Sequence, residues 1–289
     1  MELMTNLDRW REVRRGLSGP LGLVATMGWL HEGHLTLVRR AKAENRVVVV
    51  TLFVNPTQFG PGEDLAAYPR DLDRDRRLLE AEGVDFLLAP PVDQVYPPGF
   101  QTYVTVTALS RNLEGAARPG HFQGVATVVA KLFHLTRPDR AYFGQKDGQQ
   151  AAVIRRMALD LDFPLEVVVC PTVREADGLA MSSRNMYLSV AERQAAPVLH
   201  KALRAAAHTL FPSAAGSGGV TAETLRDVVR QTVAEQPLAR LEYVSVAWLD
   251  SLEEADGPAL TPDSPPLMIS LAARLGQTRL IDNILLGVG

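Results

Sequence analysis

The segment Thr26-Met27-Gly28-Trp29-Leu30-His31-Glu32-Gly33-His34 sets two imidazoles three residues apart, with two glycines nearby. Residues at i and i+3 share one face of a helical turn. At the start of a helix, unpaired N–H groups and the macrodipole favour phosphate, and imidazoles there can donate to a phosphoryl group as charge develops. The glycines let the backbone approach a ligand closely. Three other uses of the pair stay open. Zinc is one, although the helical metalloprotease motif needs histidines at i and i+4 and this spacing is one short; a pair of structural histidines is another, and a satisfied surface pair the third. No P-loop and no GxGxxG occurs, so Walker-type and dinucleotide fingerprints are not matched.

Four further segments carry polar groups suited to chemistry. In Phe53-Val54-Asn55-Pro56-Thr57-Gln58-Phe59-Gly60, Asn55 and Gln58 are neutral amides able to bind a hydroxyl or carboxylate of a small substrate; an Asn-Pro turn filled with polar residues accounts for them equally well. In Phe143-Gly144-Gln145-Lys146-Asp147-Gly148-Gln149-Gln150, Lys146 offers a point charge to an anion, against the alternative of a solvated loop lysine. The chain has only four lysines among 30 basic residues, which singles out one held in a polar loop. In the run 173–185, VREADGLAMSSRN, two hydroxyls and a guanidinium follow a glycine-bearing turn and can grip a triphosphate. In Arg118-Pro119-Gly120-His121-Phe122-Gln123-Gly124, His121 is either a cap or core residue or a substrate-side group.

These segments need elements to hold them. Over the first ~175 residues, short β-branched runs alternate with helical spacing, the pattern of βα units. Strands are expected at Leu21–Ala25, Arg46–Val54, Val84–Ala89, Ala141–Phe143 and Leu165–Val169, with a short extended piece at Tyr103–Val106. Helices are expected at Leu35–Glu44, Asp71–Glu82, His121–Leu135 and Gln149–Leu159. The near-continuous valine run suits a central parallel strand covered on both faces. This alternation predicts an α/β fold, a Rossmann-like doubly wound parallel sheet, whose ligands bind at the carboxyl ends of strands. Each polar segment but one lies at such an end. The Pro61–Arg70 stretch is expected to be mobile. Beyond Thr172 the pattern changes. Ser189-Val190-Ala191-Glu192 is a capping box opening a helix to about Leu210, with a kink or restart at Pro197. A connector at Ser213–Gly219, a helix at Thr221–Glu235 and strands at Leu241–Leu249, Leu267–Leu275 and Thr278–Leu285 follow, the last two joined tightly at Gly276-Gln277. Two domains are expected: 1–174, Rossmann-like and binding the nucleotide and acid, and 175–289, a smaller C-terminal α+β domain closing as a lid.

Composition bounds the function classes. The 289 residues are 46% hydrophobic and 22% charged, ordinary for a globular chain. A net charge of −3 gives no global electrostatic reason to bind nucleic acid. The longest apolar run, Val47 to Val54, is far short of the ~18 residues of a membrane span. MELMTNLDRWREVRR has no apolar stretch before a small-residue cleavage site, so no secretory leader is expected. The single cysteine, Cys170 in EVVVCP, reads as a buried strand residue in a reducing cytoplasm.

Together, TMGWLHEGH, FVNPTQF, RPGHFQGVATVV, FGQKDGQQ and READGLAMSSRN, in register from about Leu21 to Tyr187 and more loosely beyond, resemble the pantoate–β-alanine ligase (pantothenate synthetase) family of His-x-x-His nucleotidyltransferases. The resemblance implies ATP-dependent condensation of (R)-pantoate with β-alanine to pantothenate, AMP and pyrophosphate. It implies an enzyme-bound pantoyl adenylate, Mg²⁺ carried with ATP, and a homodimer. Positions matching the family's ATP contacts are Met27, Gly28, Trp29, Leu30, His31, Glu32, Gly33, His34, Gly144, Gln145, Lys146, Asp147, Val173, Met181, Ser182, Ser183 and Arg184. Gln58 and Gln150 match its pantoate contacts, with Asn55 beside them as a further substrate-side candidate. His34 matches the residue assigned as proton donor; His31, Lys146, Ser182 and Ser183 match groups that stabilise the phosphates, with Arg184 next to them. The chain departs from the family pattern at Ala25, often Pro, at Gln145, where FGEKD has Glu, and at Trp29, often a small residue.

Three other functions fit parts of this pattern. A nucleotidyltransferase making a dinucleotide shares the His34 and Ser182 regions but does not need FVNPTQF and KDGQQ together. A nucleotide-binding regulatory module would bind ATP without releasing pyrophosphate. A metal-dependent hydrolase using His31 and His34 would act without ATP and carry stoichiometric zinc.

Overall fold

Six short strands with helices between them build the larger sheet. In chain order they are β1 (Glu2–Met4), α1 (Leu7–Gly16), β2 (Leu21–Thr26), α2 (Glu32–Glu44), β3 (Val47–Leu52), α3 (Leu72–Ala81), β4 (Phe86–Leu88), α4 (Val92–Val95), α5 (Glu114–Ala117), α6 (His121–Thr136), β5 (Arg140–Gly144), α7 (Gly148–Asp160) and β6 (Glu166–Cys170). The computed structural model describes residues 1–211, 219–257 and 259–287. The chain divides into two units, one of Met1–Gln145 with Gln149–Pro171, the other of Lys146–Gly148 with Thr172–Gly289.

Every strand pair in the larger sheet is parallel, in the order β1-β4-β3-β2-β5-β6. Val48, Val49 and Val50 of β3 are fully buried, as the valine run predicts for a strand covered on both faces. From β2 the chain moves outward through β3 to β4, then crosses to the opposite side of β2 for β5 and β6. The reversal lies between β2 and β5, and ligands of such sheets bind at the carboxyl ends of strands beside that switch point. The turn carrying His31 and His34 leaves β2 there, and Gly144 ends β5.

Four elements escaped the sequence reading, among them the one-turn helices α4 and α5. β1 has only three residues, too short for a detectable alternation. α1 buries only Leu7 and Trp10, so its apolar stripe is faint; the indole of Trp10 donates to Leu135 O at 2.9 Å and anchors the helix. The Tyr103–Val106 piece expected to be extended forms no strand. α2 begins at Glu32, three residues before its expected start at Leu35, because His31 takes the extended cap position.

The second unit contains α8 (Val190–Ala195), α9 (Val198–Leu210), α10 (Ala222–Ala234), β7 (Ala239–Trp248), β8 (Leu267–Leu275) and β9 (Thr278–Leu286). The capping box at Ser189 is present: its hydroxyl accepts from Glu192 N, and Glu192 reaches back to Ser189 N. The helix restarts at Pro197, which has no N–H to continue the preceding helix's hydrogen bonds. Three antiparallel strands in the order β7-β8-β9 follow, with a tight turn at Gly276, where φ is +56°. Leu199, Leu203, Leu225 and Val229 of α9 and α10 pack with Ile269 and Leu271 of β8 in one core. Positions 212–218, most of the expected Ser213–Gly219 connector, lie outside the described residues.

Candidate active site

The turn after β2 is held from both ends. Thr26 Oγ1 donates to Thr51 O at 2.8 Å and accepts from Gly28 N at 3.2 Å. Gly28 has φ +91° and Trp29 φ +53°. For a bulky residue that left-handed conformation is a true outlier, costing ~1–2 kcal/mol. The compensation comes from α3. Asp75, 1% exposed, accepts Trp29 N at 2.7 Å on one carboxylate oxygen and Leu30 N at 2.9 Å on the other. Arg74 donates to Asp75 Oδ1 at 3.0 Å and to Leu30 O at 2.8 Å, and its guanidinium lies 4.8 Å from the Trp29 ring centre. Burial pushes the Asp75 carboxyl above the usual carboxylate range, opposed by the two amides and Arg74.

Beyond this clamp, His31 takes the N-cap position of α2 and His34 lies in its first turn. Their ring centres are 4.1 Å apart, and His31 N donates to His34 Nδ1 at 3.3 Å. An Nδ1 that accepts puts the proton of the neutral ring on Nε2, which makes Nε2–H a donor. Glu32 of the same turn is ion-paired with Arg39, which also grips Glu82, so its carboxylate is neutralised on the helix surface.

FVNPTQF forms a one-turn 3-10 helix, Pro56–Gln58, capped by Asn55. Asn55 is 1% exposed, and protein groups take its whole amide. Nδ2 donates to Gln58 Oε1 and to Gly124 O, each at 3.1 Å; Oδ1 accepts from Tyr96 OH at 2.8 Å and Thr57 Oγ1 at 3.0 Å. Asn55 therefore orients Gln58. Gln58 Nε2 contacts Met27 Sδ at 3.0 Å, joining this segment to the turn after β2. α6 packs backbone to backbone against the same segment: a Cβ on Gly124 would meet Thr57 O at 2.3 Å.

His121 is a buried structural residue in this arrangement. Its Nδ1 bonds Gln58 O at 2.8 Å and its Nε2 lies 3.1 Å from Arg118 Nη1. Burial, then Arg118, push its pKa down to about 4, so the ring is neutral, donates from Nδ1 and accepts at Nε2. Arg118 forks onto Glu63 at 2.7 and 2.6 Å, which ties the 60–64 stretch to the Gln58 carbonyl.

The two glutamines opening α7 differ completely. Gln149, 5% exposed, accepts from Glu114 N at 2.9 Å and donates to Leu109 O and Asn112 O, each at 2.8 Å. Gln150 is half-buried, and its amide bonds none of the described residues.

In the second unit, Lys146 O accepts from Asn283 Nδ2 at 2.9 Å, and a Cβ on Gly148 would meet Met268 Sδ at 2.7 Å, so β8 and β9 fix the backbone here. Lys146 Nζ lies 3.4 Å from Asp147 Oδ1. Residues 173–181 form a narrow loop: Met181 N donates to Val173 O at 2.9 Å, Gly178 has φ +95°, and Arg174 is clasped by Asp282 at 2.6 and 3.0 Å. Ser182 then caps a one-turn helix, Ser183–Tyr187, its hydroxyl accepting from Arg184 N at 3.3 Å. Val173, Met181, Ser182, Ser183 and Arg184 all belong to this loop and its exit.

Asp75, Arg74, Gln149, Arg118 and Glu63 were missed from the sequence. One signal existed for Asp75. It lies four residues before buried Leu79, a carboxylate on the apolar stripe of α3. Among the described residues no group of three or more His, Cys, Asp or Glu is placed to hold a metal ion, so His31 and His34 have no third ligand of that kind. No helix among them is long and apolar enough to cross a membrane.

Comparison with known proteins agrees with this geometry. The family model of pantoate-beta-alanine ligase matches residues 1–285. The pantothenate synthetase of Roseiflexus sp. (strain RS-1) is 57% identical over 286 residues, 99% of each chain. The crystal structure of pantothenate synthetase from Thermus thermophilus superimposes with a TM-score of 0.89 at 47% identity, covering 98% of this chain and 99% of that one. That of the Francisella tularensis pantoate-beta-alanine ligase, complexed with beta-gamma ATP and beta-alanine, gives 0.79 at 34% identity, covering 100% and 99%. The parallel sheet with its switch-point histidines, the smaller antiparallel unit and these matches lead to one conclusion: the chain belongs to the pantoate–β-alanine ligase family.

Proposed function

We propose that the protein condenses (R)-pantoate with β-alanine at the expense of ATP, giving pantothenate, AMP and pyrophosphate through a pantoyl adenylate. The observation that carries this reading is the 3.0 Å contact of Gln58 Nε2 with Met27 Sδ. It sets an amide suited to the acid against the turn suited to phosphate. A dinucleotide-forming transferase has no need of that junction.

A carboxylate is a poor acceptor for an amine until one oxygen becomes part of a good leaving group. A pantoate carboxylate oxygen attacks the α-phosphorus, and the bond to the bridging oxygen breaks with its electron pair leaving on pyrophosphate. The neutral amine of β-alanine then attacks the acyl carbon, the C–O bond to AMP breaks, and the amine proton passes to solvent. Positioning and charge neutralisation carry the first step, and no protein nucleophile is required. Gln58 and Gln150 hold the acid. His34, as an Nε2–H donor, and His31 serve the phosphates, with Lys146, Ser182, Ser183 and Arg184 as further phosphate groups. The remaining ATP contacts are the backbone and side chains of Met27–His34, Gly144–Asp147, Val173 and Met181. Magnesium would be carried with ATP and would supply charge neutralisation on the phosphates.

Family membership further supports a homodimer, and buried Cys170, its thiol pushed up by burial, suits a reducing cytoplasm. Sedimentation of the purified chain tests the dimer.

A rapid-quench time course tests the chemistry. Pantoate and MgATP without β-alanine should release about one pyrophosphate per site and stall, since the reactive adenylate is kept from water. β-Alanine should then discharge AMP. Absence of both pyrophosphate release and pyrophosphate–ATP exchange until β-alanine is added would overturn the stepwise reading.

A further inference from the structure

Asp75 and Arg74 of α3, which clamp the turn after β2, have no part in the mechanism above, yet they determine where that turn lies. Asp75 is a fully buried carboxylate with both oxygens on consecutive amides, Trp29 N and Leu30 N. Those amides belong to the two residues just before the His31 cap, and Trp29 stands at φ +53°, where a side-chain-bearing residue does not rest unaided. Arg74 closes the other side, holding Asp75 Oδ1 and Leu30 O while its guanidinium covers the Trp29 ring. Gly28 leaves just enough room: a Cβ there would lie 3.1 Å from Asp75 Oδ2. A buried carboxylate is costly unless its position is used, and here it fixes the one strained peptide leading into the histidine pair.

We propose that Asp75 is a positioning residue of adenylate formation, setting the Gly28–Leu30 backbone so that His31 caps α2 and His34 presents Nε2–H to the phosphates. Arg74 is its partner in that role. This rests on the adenylate-forming reading above. Asp75 has both carboxylate oxygens on protein amides and acts through Trp29 N and Leu30 N.

Asp75→Asn keeps the shape but replaces one acceptor with an NH₂ that faces a backbone N–H. Its rate constant for pyrophosphate release per active site, counted by burst amplitude, should fall roughly 10²-fold, the scale of a small misplacement of reacting groups. The KM for pantoate should move less than about twofold, because Gln58 and Gln150 lie outside the clamp. A residue needed only for stability would lower the burst amplitude and the melting midpoint and leave the rate per site unchanged. Imidazole ¹⁵N NMR gives a readout independent of turnover: His34 in the wild type should show an accepting Nδ1 with the proton on Nε2, and in Asp75→Asn a mixture of tautomers. Arg74→Gln, at a partly exposed side chain, should show the same pattern at roughly a tenfold loss, and it carries the test if Asp75→Asn does not fold. A rate per site within about threefold of wild type in the folded variant, or an unchanged His34 tautomer, overturns the proposal. Missing pyrophosphate–ATP exchange in the wild type would instead overturn the adenylate reading and leave the NMR outcome standing.

Discussion

Asn55 Nδ2 donates to Gln58 Oε1 at 3.1 Å, and this bond decides which end of the Gln58 amide faces which neighbour. With Oε1 held by Asn55, Nε2 is the end at Met27. The amide proposed to bind the acid is thus oriented by a residue whose own amide is fully taken up by protein groups. Asn55→Ala should leave Gln58 Oε1 and Gly124 O without their donor in a buried setting, costing ~1–3 kcal/mol of stability and raising the pantoate KM. Gln58→Ala should raise the pantoate KM about tenfold with the ATP KM unchanged. Steady-state kinetics and thermal melts of both variants check this; an Asn55 variant with normal stability would refute its assignment.

The neighbours Gln149 and Gln150 should respond in opposite ways. Gln149→Ala removes three buried hydrogen bonds to the 109–114 segment and should cost ~2–4 kcal/mol, seen as a lowered denaturation midpoint. Gln150→Ala should leave the midpoint unchanged and raise the pantoate KM about tenfold. The reverse pattern would show that the wrong glutamine has been assigned to the acid.

Lys146→Ala should slow adenylate formation by roughly 10²–10³, a loss of ~3–4 kcal/mol of transition-state stabilisation. The fold should survive, since the Asn283 bond goes to the Lys146 backbone carbonyl. Single-turnover pyrophosphate release at saturating MgATP measures the effect, and near-normal release would remove Lys146 from the phosphate site.

His121 makes stability pH-dependent. Its folded pKa lies at about 4, below the 6.5 of the free side chain, through burial and the Arg118 charge. Between these values the unfolded chain binds more protons than the native one. The contribution is therefore complete above pH 6.5 and is lost as pH falls through about 4, up to ~3 kcal/mol in all. Denaturant titrations from about pH 7 to about pH 4 should show a steeper decline for the wild type than for His121→Asn. Parallel curves would mean that His121 is charged in the native state.

Much of the fold was legible in local pattern. The valine run foretold a two-faced central strand, Ser189 and Glu192 a capping box, Pro197 a restart and Gly276-Gln277 a hairpin. Each depends on residues within a few positions of one another, where periodicity and capping chemistry act. The His-x-x-His turn and its place after a strand were legible for the same reason. Tertiary structure alone decided which polar side chains remain available to a ligand. Asn55 and Gln150 looked alike as free amides, yet α6 and Tyr96 engage the first and leave the second. Asp75 looked like one more surface acid in DLDRDRR until the fold brought the Trp29 and Leu30 amides, more than forty residues away in sequence, onto its carboxylate. A polar residue's role is the difference between its hydrogen-bonding capacity and what the protein itself takes up, and those partners come from distant parts of the chain.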